Sequence, residues 1–170
     1  MTTTPMNAVS QWTVDTANHV LVCEGNRGHE WLRYDKELSN AIFHVEFRFT
    51  KIEAGRGYNS GVMLRNSADG AVWYQAQAGA EGTGWLFGGE LIDGQAKSFN
   101  LRSTMKENRV KPAGEWNIFE IRAEGPKMTV WVNGGVTTEK TDVTALKGYA
   151  GLEAEGYRIE FRNIMLKELK

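Results

Sequence analysis

The chain has 170 residues, 20 basic and 21 acidic, with a formal net charge of −1 and 41% hydrophobic residues. That balance excludes a basic nucleic-acid footprint and a polybasic membrane patch, and no apolar run approaches the ~20 residues of a membrane-spanning helix. With Cys23 as the single cysteine there is no intrachain disulfide and no thiolate zinc site.

The size fits one domain, residues 1–170 with an ordered core from about 12 to 169, large enough to bury roughly 70% of its unfolded surface. The first residues, Met-Thr-Thr-Thr-Pro-Met-Asn, have neither a charged n-region nor an apolar core, so a soluble chain with no visible signal peptide is expected. Short β-rich runs follow, separated by 19 glycines and three prolines, and no apolar pattern keeps a helical period over three turns. In chain order the predicted strands are 12–14, 19–24, 30–34, 41–50, 61–66, 72–78, 85–87, 116–123, 127–132, 150–155 and 157–169. Asn133-Gly134-Gly135 between two β-rich runs is the strongest hairpin signal, and Gly125-Pro126 marks a second tight turn. Strands at this spacing predict an all-β sandwich or jelly roll. Cys23 reads as a buried strand residue.

The run Phe43–Phe49 alternates strictly. Phe43, Val45, Phe47 and Phe49 share one face, and His44, Glu46 and Arg48 share the other. A cation two residues away keeps Glu46 ionised, which suits a base or a charge that orients substrate. Arg65, Gln75 and Gln77 also fall on polar strand faces, with Asn59 in the turn before them. Planar amides and guanidinium groups offer the forked donors and acceptors that vicinal sugar hydroxyls need. Trp73, Trp85 and Trp131 offer flat platforms for a pyranose ring. Glu153 and Glu155, two apart on a strand, predict carboxylates roughly 7 Å apart, inside the ~6.5–9.5 Å window of an inverting glycosidase pair. His19, His29 and His44 are far apart and in no zinc spacing. No motif calls for a cofactor or a metal, although Glu46, Glu153 and Glu155 offer hard oxygen ligands for a divalent ion. Between Gly79 and Gly114 the rhythm breaks into a long glycine-rich connection. Gly82–Gly89 is expected to wall a groove with Trp85 or Phe87, and Lys97–Lys111 to form a mobile outer flap.

Several of these residues occur in an order that resembles the 3-keto-disaccharide hydrolase domain family. The order runs Val20-Leu-Val-Cys-Glu-Gly25, Trp31-Leu-Arg33, Phe43-His-Val-Glu-Phe-Arg48, Asn59-Ser-Gly-Val62, Arg65 and Tyr74-Gln-Ala-Gln77. It continues with Glu115-Trp-Asn117, Val130-Trp-Val-Asn-Gly134, Gly151-Leu152 and Phe161-Arg-Asn-Ile164. The resemblance implies a concanavalin-A-like jelly roll with two antiparallel sheets and a saccharide groove. It also implies cleavage of a glycoside whose sugar carries a 3-keto group. The ketone acidifies the C2 proton, a base removes it, the aglycone leaves from C1, and water adds back. By the same resemblance Glu46, Arg48, Asn59, Arg65 and Gln77 stand at family motif positions. Together with the reading of the strand faces this makes Glu46, Arg48, Arg65 and Glu155 the catalytic candidates, and His44, Asn59, Gln75, Gln77, Trp85 and Glu153 the candidates for substrate binding. The sequence departs from the family pattern at three places. Gln75 stands where a glutamate is usual, Ala80 where an acid often follows, and Glu155 where a histidine is common. Two hypotheses follow: an enzyme of this type, or a carbohydrate-binding module of the same fold that has lost the acid–base set. Both take a saccharide as partner.

Overall fold

The computed structural model describes residues 10–50, 58–79 and 82–170. Their thirteen strands form two sheets, and every strand pairing is antiparallel. The strands are β1 (Trp12–Asp15), β2 (Val20–Cys23), β3 (Glu30–Arg33), β4 (Ala41–Phe49), β5 (Asn59–Asn66), β6 (Trp73–Gly79) and β7 (Leu86–Ile92). The second half of the chain adds β8 (Gln95–Asn100), β9 (Asn117–Glu124), β10 (Lys127–Val132), β11 (Gly135–Lys140), β12 (Tyr149–Ala154) and β13 (Ile159–Glu168). The seven-stranded sheet runs β1-β2-β13-β4-β9-β10-β11, and the six-stranded sheet runs β3-β12-β5-β6-β7-β8. The last two strands each insert among the first five, β13 between β2 and β4 and β12 between β3 and β5. This interleaving gives the jelly roll. No helix among the described residues is long and apolar enough to cross a membrane.

Strand β4 shows why the sheets stack. Its alternation buries Phe43, Val45, Phe47 and Phe49, which pack against Val62, Leu64, Tyr74, Ala76, Ala78 and Leu86 of the opposite sheet. Each such aromatic or aliphatic side chain contributes about 1.5–3 kcal/mol by leaving water. Cys23 is buried in the same core, where burial pushes its thiol pKa up to about 11. The β10–β11 hairpin turns on Asn133 (φ +48°) and Gly134 (φ +81°), the left-handed pair that matches strand twist.

Two expectations about this architecture are corrected. The connection from Gly79 to Gly114 is not a long loop. Strands β7 and β8 form a hairpin through Asp93 and Gly94, both at positive φ, and extend the six-stranded sheet. Ala80 and Glu81 lie outside the described residues. Nor is 97–111 a detached flap. Lys97 belongs to β8, the Lys106 amide donates to the Thr137 carbonyl at 2.8 Å, and the Lys111 amide donates to Asn117 Oδ1 at 2.8 Å. Strand β8 was hidden because its side chains are exposed except for the half-buried Phe99.

Arg65 is the second correction. Alternation from Gly61 and Met63 assigns it to the outer face of β5. Instead Arg65 adopts φ +65°, where the pairing of β5 with β12 shifts register, and its side chain turns inward. The guanidinium is fully buried without a carboxylate partner among its hydrogen bonds. It donates to the carbonyls of Ser39 (2.9 Å), Gly125 (2.7 Å) and Ala145 (3.3 Å) and to Asn40 Oδ1 (3.2 Å). Burial lowers its pKa from the usual value. Arg65 therefore ties three interstrand connections together at one end of the sandwich.

Candidate functional site

Glu46, Arg48 and His44 do face outward, but from the seven-stranded sheet. There they meet each other and their neighbours. Arg162 Nε and Asn163 Nδ2 each donate to the Glu46 carboxylate at 2.7 Å, and Arg48 Nε donates to Glu160 at 2.7 Å. His44 Nδ1 lies 3.3 Å from Glu120. The Trp116 ring carries the guanidinium carbons of Arg162 at 4.0 Å and Arg48 at 4.6 Å. Burial raises the Glu46 pKa, but the hydrogen bonds from Asn163 and Arg162 outweigh it and the net shift is downward. The expectation that Glu46 and Arg48 share a groove with Arg65 and Gln77 is overturned by topology. Gln77 lies on the outer face of the other sheet, and Arg65 lies inside.

The outer face of the six-stranded sheet gathers the remaining candidates. Antiparallel register sets Glu153, Gly61 and Gln77 in one row across β12, β5 and β6, and Gly151, Met63, Gln75 and Phe87 in the next. Gly61 and Gly151 leave the floor low. A Cβ on Gly61 would fall 2.2 Å from Gln75 Nε2, because the Gln75 side chain crosses that glycine to donate to Glu153. A Cβ on Gly151 would fall 2.8 Å from Trp31, whose indole lies across it. The other oxygen of Glu153 takes the His29 Nε2 contact. Two residues further along β6, on the same face, Gln77 Nε2 donates to Asn59 Oδ1 at 2.6 Å, and Asn59 Nδ2 donates to the exposed Glu155 at 2.6 Å. Glu153, Gln75 and Gln77 are buried, so this is a chain of planar groups set into the sheet.

Aromatic side chains stand on both sides of that chain. Trp31, Met63 and Trp73 line an open depression together with His29, Gln75 and the Asn66–Gly70 turn. Trp73 meets Phe87 edge-on, with ring centroids 5.4 Å apart. Trp85 follows Gln77 in register, since the Gln77 amide donates to the Trp85 carbonyl at 3.0 Å, and Arg102 lies over its ring at 4.9 Å. The segment from 82 to 89 is strand β7 and its approach, and it sets Phe87 beside Gln75 and Trp73. Trp131 stands elsewhere, on the seven-stranded sheet.

His29 and Trp31 were not among the site residues expected from the sequence. Their signal is tertiary: β3 pairs with β12, setting Trp31 opposite Glu153 and bringing His29 beside it. The hydrogen bond to Glu153 raises the His29 pKa above its usual value, against burial. One donor atom each from His29, Glu153 and Glu155 lies within 4.8 Å of the others. An oxygen of Glu153 thus comes within 4.8 Å of an oxygen of Glu155. An imidazole and two carboxylates form a mixed nitrogen–oxygen donor set of the kind that first-row divalent cations accept. The set differs from the expected oxygen trio, because Glu46 is on the other sheet.

Residues 6–167 match the family described as 3-keto-alpha-glucoside-1,2-lyase-like domain. The chain belongs to that family. Solved structures share its fold. Carbohydrate-binding module CBM66 from Bacillus subtilis superposes with a TM-score of 0.71 at 15% identity, covering 94% of this chain and 92% of that one. A putative glycosyl hydrolase from Parabacteroides distasonis gives 0.68 at 15% identity, covering 95% and 85%. The β-glucanase of Bacillus licheniformis gives 0.59 at 10% identity, covering 94% and 83%. At these identities the likeness is one of jelly-roll architecture. No curated protein sequence is matched significantly. Of the segments that carry the resemblance, Asn59–Gly61 and Gln75–Gln77 meet on the six-stranded face, while Glu46 and Arg48 lie on the opposite one.

Proposed function

We propose that the outer face of the six-stranded sheet binds a 3-keto-glycoside and cleaves its glycosidic bond by elimination followed by hydration. The observation that carries this reading is the junction of His29, Glu153 and Glu155 within 4.8 Å on a face flanked by indoles. Proton abstraction beside a ketone needs a base on one side and an acid at the leaving oxygen, and the junction supplies both types.

In this mechanism the Glu155 carboxylate takes the C2 proton and the C–H electron pair becomes the C1=C2 double bond. The C1–O bond breaks, and the departing oxygen takes a proton from the His29 imidazolium. Water then adds its hydroxyl to C1 and a proton returns to C2, completing a net hydrolysis. Glu153 orients His29 and favours its protonated form, and Gln75 fixes Glu153 from its other oxygen. Asn59, joined to Glu155 and to Gln77, supplies amide hydrogen-bonding capacity for the C3 oxygen as charge develops there.

The test is incubation with 3-keto-lactose, 3-keto-trehalose and their unoxidised parents, with product analysis. Cleavage confined to the keto sugars is expected, and it should disappear in Glu155→Gln. A second reading, a saccharide-binding module of this fold, is favoured by Gln75, an amide that binds but does not titrate. Binding of these sugars without cleavage would establish that reading and end the enzymatic one.

A further inference from the structure

The depression bounded by Trp31, Met63 and Trp73 differs in chemistry from the polar chain beside it. Its walls are almost wholly apolar. Its indoles are braced. Trp31 lies across Gly151, and Trp73 lies across Gly89, where a Cβ would fall 2.8 Å from the Trp73 Nε1, while Phe87 meets Trp73 at an interplanar angle of 88°. Walls fixed in this way need little ordering when a flat body enters.

Several polar atoms at the rim are engaged with the protein itself. Asn66 Oδ1 accepts from the Tyr74 amide at 2.8 Å. Ser67 Oγ donates toward Asp69 Oδ1 at 2.6 Å and accepts from the Val72 amide at 2.9 Å. Gln75 Nε2 and His29 Nε2 both meet Glu153. A second sugar ring placed here would set most of its hydroxyls against indole and thioether surface, where they lose water and gain few partners. An aromatic or alicyclic ring would lose no hydrogen bonds on entry. The polar chain of Asn59, Gln77 and Glu155 lies on the far side of the His29–Glu153 contact, and His29 and Gln75 belong to both regions. A glycosidic oxygen at His29 would thus have its sugar on the polar side and its aglycone in the depression.

We infer that the Trp31–Met63–Trp73 depression is an aglycone subsite for an apolar ring, so that aryl glycosides rather than disaccharides are the preferred substrate class. This rests on the reading of the site as one for 3-keto-glycosides.

The test compares phenyl and methyl 3-keto-glucosides of the same anomer on the full chain, as Kd, or as KM where turnover occurs. 2-Naphthol alone serves as a sugar-free probe, followed by saturation-transfer NMR. The phenyl compound should be favoured about tenfold, the scale of one aromatic contact with its burial. Trp73→Ala should bring that ratio close to one, and Trp73→Phe, which keeps a ring against Phe87, should retain most of it. Circular dichroism checks that each variant is folded. Equal affinity for phenyl and methyl compounds, or a ratio unchanged in folded Trp73→Ala, would overturn the inference while leaving the glycoside reading intact. Trp73-dependent binding of 2-naphthol with no glycoside bound would support the apolar subsite and sink the glycoside reading. Binding of none of the probes would overturn both.

Discussion

The two outer faces of this sandwich carry similar side chains and do different things with them. On the seven-stranded sheet Glu46, Arg48, Glu160 and Arg162 pair with one another around Trp116, a self-contained ladder on a level surface. On the six-stranded sheet Gly61 and Gly151 lower the floor, so Gln75 and Trp31 lie flat across it and a carboxylate, an imidazole and a second carboxylate converge. A polar strand face becomes a site when its neighbours leave room beside it. A face whose charges already neutralise each other is a solvated surface, whatever its composition.

Exchanging the titrating groups of the two faces should separate them most. Glu155→Gln and His29→Gln are expected to lower turnover of a 3-keto-glucoside at least ~100-fold, the usual contribution of a positioned acid or base. Glu46→Gln should leave turnover within about twofold. A large loss from Glu46→Gln would move the chemistry to the seven-stranded face and dissolve the contrast.

Arg65 belongs to neither face, and its removal should show in stability. Arg65→Met strands the Ser39, Gly125 and Ala145 carbonyls, while Asn40 Oδ1 keeps the Gly125 amide, at a cost on the order of 3 kcal/mol. Urea denaturation would report it as a lower midpoint. A cost under about 0.5 kcal/mol would mean that the end connections hold without Arg65, since such values are typical of surface substitutions.

Gly61→Ala tests the floor itself. The new methyl collides with the flexible end of Gln75 rather than with backbone, so Gln75 should leave Glu153. Saccharide binding or turnover should fall about tenfold, the scale of one charge-assisted hydrogen bond, while the unfolding midpoint moves little. Unaltered function would show that the Gln75–Glu153 contact is incidental.

The smallest expected effect is a pH slope. His29 has a raised pKa in the folded protein, so its contribution is complete below the unfolded value near 6.5 and is lost as pH rises through the folded value. Stability should therefore decline above about pH 6.5. In His29→Gln that part of the slope should vanish. An identical slope in the variant would assign it to other groups.

Much of the fold was legible in the residues. The alternation of β4, the Asn-Gly-Gly hairpin and the frequent turn signals depend on neighbours in sequence, and they specify strands and buried faces through a period of two. The composition of β8 concealed it, because an edge strand with most side chains in solvent has no apolar alternation to read. Arg65 was assigned to the wrong face because one left-handed residue inverts a strand's pattern, and no local rule placed that inversion at an arginine.

The candidate site was legible only in part. Asn59, Gln75, Gln77, Glu153 and Glu155 were readable as polar strand positions, and their chemistry follows from residue type alone. Their separation from Glu46 and Arg48 was decided by which strands pair. Strand β12 lies between β3 and β5, and β4 lies between β13 and β9, so residues with the same alternation end on opposite sides of the molecule. The same pairing brought in His29, 124 residues away from Glu153 along the chain. Alternation by itself determined which side chains leave the core. Only the tertiary structure decided which sheet they leave from, because strand order is a long-range choice made by the packing of the whole sandwich.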